Sequence, residues 1–197
     1  MRKGTKAARG PAPVHAHETI ALPAGGLRLV VVADTHGRPH PALDQRIVEA
    51  APGHILHAGD IGDLHVLADL RKHAPVTAVR GNIDAPTPDL PDIVTIDLCS
   101  EGGTLLKLLL VHIAVSGVKI RADVARLARA EGATIVVCGH SHVPFAAHDR
   151  DLTVFNPGSV GPRRFQLPVV LGVIDVQEDG VSVRHISCET GLPWTGQ

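Results

Sequence analysis

Short apolar runs alternate with amphipathic stretches along the first half of the chain. The Val-rich run at 27–33 and the shorter runs at 54–58 and 76–79 are typical of buried strands. The stretches at 41–51 and 63–74 carry apolar residues at helical spacing, and the first has a proline in its opening turn. Because strand and helix alternate here, we expect a largely parallel sheet with helices packed on it.

The second half adds hairpins to this pattern. The runs IVTIDL and TLLKLLLVH flank Gly102 and Gly103, and the runs PVVLGVIDV and VSVRHISC flank the turn QEDG. Between them, Lys119–Gly132 predicts a helix that ends at its glycine, and Thr134–Cys138 predicts a strand. The fold class is therefore mixed α/β, with mixed β-sheets packed as a sandwich and flanked by helices.

Composition limits the classes of partner. Aromatic residues make up 2% of the chain and tyrosine is absent, so the core must consist of Val, Leu, Ile and Ala. The formal net charge of −1 offers no basic surface for extensive nucleic-acid binding. We find no apolar run of roughly 18 residues, so no membrane-spanning helix is expected. A homo-oligomer is compatible with the sequence.

The cysteines and the N-terminus concern compartment and domain organisation. The three cysteines are widely separated and form no CxxC pair, which favours a reducing, cytoplasmic compartment. Residues 1–18 are basic, rich in Ala, Pro and Gly, and lack the apolar segment of a secretory signal. We expect a mobile extension over 1–18, which includes His15 and His17, and a single domain over 19–197.

Polar residues follow nearly every predicted strand, usually beside a glycine. They are Asp34 and His36, Asp60 and Asp63, Asn82 and Asp84, His112, and His140 and His142. Sites in such sheets form at the carboxyl ends of the strands, so we expect these side chains to converge. Carboxylate, amide and imidazole ligands without thiolate suit Mn²⁺, Fe or Zn²⁺, and a pair of cations is the usual device for phosphoester hydrolysis.

The ordered series D-x-H, GD-x-x-D, GN-x-D, H and G-H-x-H resembles that of the calcineurin-like metallophosphoesterases. The segment FNPGSVGPRR at 155–164 also resembles the small prokaryotic phosphodiesterase branch of that family, and the likeness extends from about Leu27 to Val183. It implies the four-layer fold of metallo-dependent phosphatases and a small phosphoester as substrate.

The resemblance also implies site roles. One metal would be held by Asp34, His36, Asp60 and His142, and the other by Asp60, Asn82, His112 and His140. Asp60 would bridge them, and with Asn82 and His112 it would hold the catalytic centre around a metal-bridging hydroxide. Manganese is the first choice for both ions, with Fe, Ni and Zn as alternatives.

Other polar residues near these motifs carry alternative interpretations. Asp63 and Asp84 are expected either to support the ligands or to cap a helix or turn. Arg80 and Arg163 are expected either to meet a phosphate or to lie in solvent. His112 is followed by Ile113 where the family usually has glycine, which leaves a core histidine as the alternative. His57 is expected to be a hydrogen-bonded core or near-site residue.

One position departs from the family pattern. Many members have His after the GN pair, the small branch often has Cys, and this chain has Ile83, which cannot transfer a proton. We therefore predict a phosphodiesterase of modest activity on esters with good leaving groups, with monoesterase activity secondary. The alternative is a scaffold or regulatory binder on the same fold. A nuclease is disfavoured by the short length and neutral charge.

Overall fold

A computed structural model describes residues 12–196 of the chain. The helices are α1 (Leu43–Ala50), α2 (His65–Leu70) and α3 (Ala122–Glu131). The strands are β1 (His15–Ala21), β2 (Leu27–Val32), β3 (His54–His57), β4 (Val76–Ala78), β5 (Ile93–Ser100), β6 (Gly103–Val111), β7 (Val115–Ser116), β8 (Lys119–Ile120), β9 (Ile135–Val137), β10 (Phe145–Asp149), β11 (Leu152–Asn156), β12 (Val170–Gln177), β13 (Gly180–Ser187) and β14 (Pro193–Trp194).

Two mixed sheets of six strands contain most of these elements. One has the order β1-β5-β6-β9-β11-β10 and the other β14-β13-β12-β2-β3-β4, while β7 and β8 form a small separate ribbon. The strands β2, β3 and β4 run parallel, as their connection through α1 and α2 requires. The strands β12 to β14 complete the second sheet as antiparallel neighbours.

The two faces of each sheet are buried against different layers. Leu29 and Val31 of β2 join a cluster with Leu108 and Leu110 of β6 between the two sheets. The alternate residues of β2 face α1 and α2, and Leu109 of β6 faces α3. Side chains on a strand point to opposite faces in turn, so this alternation yields four layers: helices, sheet, sheet, helix. The predicted fold class is confirmed.

The predicted helices and the strands β2, β3, β4 and β9 are present with shorter bounds, whereas β5 is longer than predicted and ends at Ser100. Both predicted hairpins form, as β5–β6 and β12–β13. The third helix begins only at Ala122, because Lys119–Ile120 pairs with Val115–Ser116 instead. It ends where expected, since Gly132 adopts a left-handed φ of 73° and closes the last turn.

The N-terminal boundary differs from the expectation. His15–Ala21 forms β1, which pairs in parallel with β5 at the edge of the first sheet. The Glu18 carboxylate also accepts a hydrogen bond of 2.5 Å from the Thr77 hydroxyl of β4 in the other sheet. The predicted extension therefore ends too late, because residues 15–18 are ordered by partners far away in sequence. Residues 1–11 of that extension lie outside the described residues.

Within residues 12–196, no helix combines the length and the apolar character needed to cross a membrane. All three cysteines are unpaired, and Cys138 and Cys188 are buried.

Candidate metal centre

Loops that follow strands of both sheets meet at one edge of the fold. Backbone hydrogen bonds join them. They run from Asp34 N to the Gly59 carbonyl oxygen (2.9 Å), from His36 N to the Asp60 carbonyl oxygen (3.0 Å), and from Gly139 N to the His112 carbonyl oxygen (3.0 Å). Six of the nine strand-end side chains predicted to converge are thereby brought into two neighbouring clusters, while Asp63, Asn82 and Asp84 lie outside them.

The first cluster consists of Asp34, His36 and His142. The two imidazole Nε2 atoms lie 3.4 Å apart, and His142 Nε2 is 3.4 Å from Asp34 Oδ1. Asp34 is fully buried and His142 nearly so. Three potential ligand atoms therefore point at one another in a place with little access to water.

The second cluster consists of Asp60, His112 and His140. His112 Nδ1 donates a hydrogen bond of 2.7 Å to the Ala58 carbonyl, which directs Nε2 at Asp60 Oδ1, 3.3 Å away. A neutral imidazole nitrogen and a carboxylate oxygen are both acceptors, so this approach requires a proton or a cation between them.

Asp60 lies between the two clusters. Its Oδ1 faces His112, and its Oδ2 is 3.9 Å from His36 Nε2 in the first cluster. One carboxylate thus presents one oxygen to each side. The two histidines of the GHSH motif also separate, His140 to the second cluster and His142 to the first.

The backbone at these residues is strained. Among residues 12–196, eight non-glycine residues have positive φ, and five of them are Asp34, His36, Asp60, His140 and His142. A left-handed conformation costs an ordinary side chain about 1–2 kcal/mol, and it persists where the surroundings impose it. Here it aims the side chains inward from sharp turns.

Two buried atoms in the centre fit a cation. Asp34 Oδ1 and His112 Nε2, which face the two clusters, are buried without a hydrogen-bond partner. Within residues 12–196 this condition is shared only by Asp97 Oδ1 and by His142 Nδ1, the ring nitrogen that is not the one facing Asp34. An unsatisfied buried polar atom costs about 1–3 kcal/mol, and a bound cation would remove that cost for a carboxylate oxygen or an imidazole nitrogen that coordinates it. The donor set of imidazoles and carboxylates suits divalent transition metals.

The charges within the centre are coupled. Burial alone would raise the pKa of Asp60, but the contact with His112 outweighs it and holds that pKa below its ordinary value. Burial alone would lower the pKa of His112, but the contacts with Asp60 and Ala58 raise it overall. The raised pKa of His112 and the lowered pKa of Asp60 both reflect a site that attracts positive charge.

His36 and His140, the more exposed histidines of the two clusters, have lowered pKa values. Burial lowers the pKa of His36, and the nearby charge of Arg164 adds to this effect. Burial also lowers the pKa of His140, and His112 adds to it there. Both imidazoles are therefore neutral near pH 7, the form that binds metal.

Comparisons with known proteins agree with this geometry. The model of the calcineurin-like phosphoesterase superfamily domain matches residues 27–179. The chain belongs to this superfamily. A probable metallophosphoesterase of Methanocaldococcus jannaschii is 30% identical over 152 residues, which cover 73% of this chain and 73% of that protein.

Solved structures show the same fold at lower sequence identity. A predicted phosphoesterase from Streptococcus pneumoniae TIGR4 is 20% identical with a TM-score of 0.64, covering 85% of this chain and 95% of that one. Vacuolar Protein Sorting 29 from Cryptosporidium parvum is 16% identical with a TM-score of 0.70, covering 86% of this chain and 95% of that one.

A buried histidine supports the first loop of this metallophosphoesterase. His57 Nε2 lies 3.0 Å from the Thr35 hydroxyl, and its Nδ1 accepts a hydrogen bond of 3.2 Å from Gly59 N. The Thr35 hydroxyl donates in turn to the Ile61 carbonyl at 2.9 Å. Burial lowers the pKa of His57 to about 4, so the ring is neutral and holds two ligand loops together.

The two candidate supporting aspartates lie in different places. Asp84 accepts hydrogen bonds from the backbone N–H groups of Ile61 (3.1 Å), Gly62 (2.8 Å) and Gly81 (2.8 Å). It therefore joins the loops after β3 and β4. Asp63 is exposed and accepts a bond of 2.9 Å from His65 N at the start of α2.

Arg163 is exposed, which is one of its two expected alternatives, and Arg80 is half-buried in an ion pair. Arg80 is bound to Asp92 through Nε at 2.9 Å, and Arg163 is bound to Glu189 at 2.5 Å and to the Leu167 carbonyl at 3.2 Å. It is Arg164 that reaches the centre, with Nη2 3.2 Å from His36 Nε2. The adjacent arginines could not be told apart without the loop geometry.

Sequence reasoning did not assign a role to two residues of the FNPGS segment. Asn156 is fully buried, and its amide donates to the Gly139 carbonyl (2.7 Å) and the Ser141 hydroxyl (3.2 Å), which holds the GHSH turn. The Ser159 hydroxyl donates to the Asp34 carbonyl at 3.1 Å. The sequence signal for both roles is that Asn156 and Ser159 are polar residues inside a largely apolar segment.

A cleft of about 660 Å³ opens beside the second cluster. Asn82 and His112 line it together with Arg80, and much of the remaining wall is aliphatic. Asn82 is exposed at this wall, next to Ile83, whose backbone N–H donates to Asp60 Oδ1 at 3.2 Å. The cleft therefore opens to solvent beside His112 of the second cluster.

Proposed function

We propose that this metallophosphoesterase hydrolyses small phosphodiesters with two divalent cations held by the two clusters. The observation that carries the proposal is the position of Asp60, whose two oxygens face His112 and His36 on opposite sides. A carboxylate shared by two cations is the arrangement that phosphoester hydrolysis uses to clamp attacking and leaving oxygens.

The proposed ligand sets follow the clusters. Asp34, His36 and His142 would hold one cation, and His112, His140 and the exposed Asn82 carbonyl the other, with Asp60 shared. Manganese is the proposed ion, with Fe, Ni and Zn compatible with the same donors. When bound, the cations would activate water as the nucleophile at neutral pH and would offset the negative charge of the transition state.

The chain's own residues set the substrate range. The Ile83 side chain is 51% exposed at the position after GN and can neither donate nor accept a proton. A general acid contributes about 10²–10⁴-fold in rate, so its absence here favours diesters whose leaving group needs no proton. The aliphatic cleft beside His112 is suited to an ester substituent of low polarity.

The test is hydrolysis of bis-p-nitrophenyl phosphate with added Mn²⁺. The wild type should turn over and lose activity in EDTA, and Asp60→Asn should lower kcat by at least about 10²-fold, the scale of a lost electrostatic group in an active site. Asp63→Asn is the matched control, because Asp63 belongs to the same motif but lies exposed at α2. Equal activity in Asp60→Asn and wild type would overturn the proposal.

A scaffold function is the second candidate. Vacuolar Protein Sorting 29 shares the fold, and Ile83 offers no proton donor at the position after GN. This function predicts that the wild type binds two metal ions, that Asp60→Asn binds them more weakly, and that the wild type hydrolyses neither diesters nor monoesters. The centre would then serve as a structural platform for a protein partner.

A further inference from the structure

A third cluster of metal-ligating side chains lies away from the centre, on the strand at the edge of the first sheet. It consists of His15 and His17 of β1 and Glu131 at the end of α3. One potential ligand atom from each residue lies within 4.8 Å of the other two. None of these residues belongs to the two clusters described above.

Strand geometry explains why the two histidines act together. Alternate residues on a strand share a face, so His15 and His17 both point toward α3, and their rings stack with centroids 4.7 Å apart. His15 Nε2 is 2.9 Å from the Thr95 hydroxyl, which donates to Glu131 Oε2 at 3.3 Å. His17 Nδ1 is 3.8 Å from the same carboxylate oxygen.

The helix adds to the preference for a cation. Glu131 is the last residue of α3, and the C-terminal end of a helix carries the negative end of its dipole. The Glu131 side chain is 24% exposed and His17 is 64% exposed, so an ion from solvent can reach the cluster. Partial burial of the carboxylate makes neutralisation by a cation favourable.

We propose that His15, His17 and Glu131 form a separate site for a divalent transition metal, with Zn²⁺ as the ion of choice. Two imidazole nitrogens and one carboxylate oxygen are a frequent set of three protein ligands for zinc, with the fourth position left to water. Oxygen-preferring ions such as Mg²⁺ are disfavoured by the imidazoles.

The site would fasten the start of β1 to the body of the fold. Val14 precedes His15, and its N–H donates to Asp92 Oδ2 at 2.8 Å while its carbonyl accepts from Asp92 N and Ile93 N. Asp92 also binds Arg80, and Val14, Asp92 and Arg80 all line the cleft beside His112. Zinc at His15 would therefore stabilise one wall of the cleft, a consequence that rests on the proposed function.

The experiment counts bound zinc. Protein stripped of metal is equilibrated with Zn²⁺, and the equivalents per chain are measured by calorimetric titration and by elemental analysis after gel filtration. The double variant His15→Gln with His17→Gln should bind one equivalent fewer than the wild type, or bind that equivalent at least about tenfold more weakly. His148→Gln, at an exposed histidine on β10, is the matched control and should bind as the wild type does.

Two further measurements keep the result decisive. Glu131→Gln, on α3, should lower the affinity for the same zinc ion. It tests the site even if the double variant fails to fold. In EDTA, Glu131→Gln should have the same thermal midpoint as the wild type. On adding Zn²⁺, its thermal midpoint should rise by less than that of the wild type. Equal zinc equivalents and affinities in wild type and Glu131→Gln would overturn the proposal. Failure of phosphodiester hydrolysis would leave the zinc difference intact, so the two proposals fail separately.

Discussion

Arg164 Nη2 lies 3.2 Å from His36 Nε2, at the solvent edge of the first ligand cluster. The guanidinium approaches the nitrogen that would ligate a cation, so metal binding at His36 would free Arg164 from this contact. A guanidinium beside a cation pair is suited to bind a phosphate oxygen through two N–H groups. Arg164 thus marks the side from which we expect the substrate phosphate to enter.

Replacing Arg164 should weaken substrate binding. Arg164→Ala should lower kcat/KM on bis-p-nitrophenyl phosphate by roughly 10–100-fold, mainly through KM, because a hydrogen bond to a charged group is worth about 1.5–3 kcal/mol. Arg163→Ala is the control, since Arg163 is bound to Glu189 instead. Steady-state kinetics with Mn²⁺ at saturation measure both, and equal effects of the two variants would refute the assignment.

Gly81 permits the close approach of the β4 loop to Asp60. A Cβ at this position would lie 2.0 Å from Asp60 N and 2.2 Å from Asp60 Oδ1, closer than any real contact. Gly81→Ala should therefore displace the shared carboxylate and weaken metal binding by at least about tenfold, the scale seen when ligand support is lost. Calorimetric titration with Mn²⁺ measures this affinity.

Gly102→Ala controls for the loss of a glycine as such. Gly102 lies in the β5–β6 turn, where an added Cβ would meet only Ser100 Oγ at 3.8 Å. Its metal affinity should equal that of the wild type. A Gly81→Ala protein with unchanged affinity would show that the loop can shift without disturbing Asp60.

Asp84 stabilises the fold as well as the centre. Its carboxylate accepts three backbone hydrogen bonds from the loops after β3 and β4. Asp84→Ala leaves those N–H groups without their partner, so the free energy of unfolding should fall by about 2–4 kcal/mol. Urea denaturation of metal-free protein measures it, with Asp89→Ala, at an exposed aspartate, as the control. A fall in the free energy of unfolding no larger than that of the control would contradict the role of Asp84 in holding the two loops together.

The sequence predicts the parallel strands and the polar residues that follow them, because hydrophobic period and strand-end position are local properties. The strands β2 and β3 and their following aspartates are where the pattern places them. Asp84 lies at the edge of the centre for the same reason, since it belongs to the loop that follows β4.

Other features depend on contacts between distant parts of the chain. The segment of β1 alternates histidine with small and polar residues, so nothing local indicates a strand, and β5 supplies its partner. Whether Arg163 or Arg164 faces the centre depends on a loop that contains a positive φ at Phe165. Arg80 is held by Asp92, twelve residues further along, through a pairing that no spacing rule predicts.

His57 should make stability depend on pH below neutrality. Its pKa is about 4 in the folded chain against 6.5 as the ordinary value, since burial disfavours the charged ring. Below about pH 6.5 the unfolded chain binds a proton that the folded chain does not, so the free energy of unfolding falls as pH decreases from 6.5 to 4. Above pH 6.5 the ring is neutral in both states and contributes nothing to the slope.

The variant His57→Gln isolates this effect. The full difference in pKa corresponds to a loss of about 3 kcal/mol across that window, at about 1.4 kcal/mol per unit. Glutamine cannot titrate but keeps an amide donor and acceptor for Thr35 and Gly59, so its stability curve should be flatter by that amount between pH 6.5 and 4. Urea denaturation in EDTA at several pH values gives both curves, and the other histidines contribute equally to each. Parallel curves would mean that His57 takes up its proton in the folded chain as readily as in the unfolded one, and that the Thr35 and Gly59 contacts do not depend on a neutral ring.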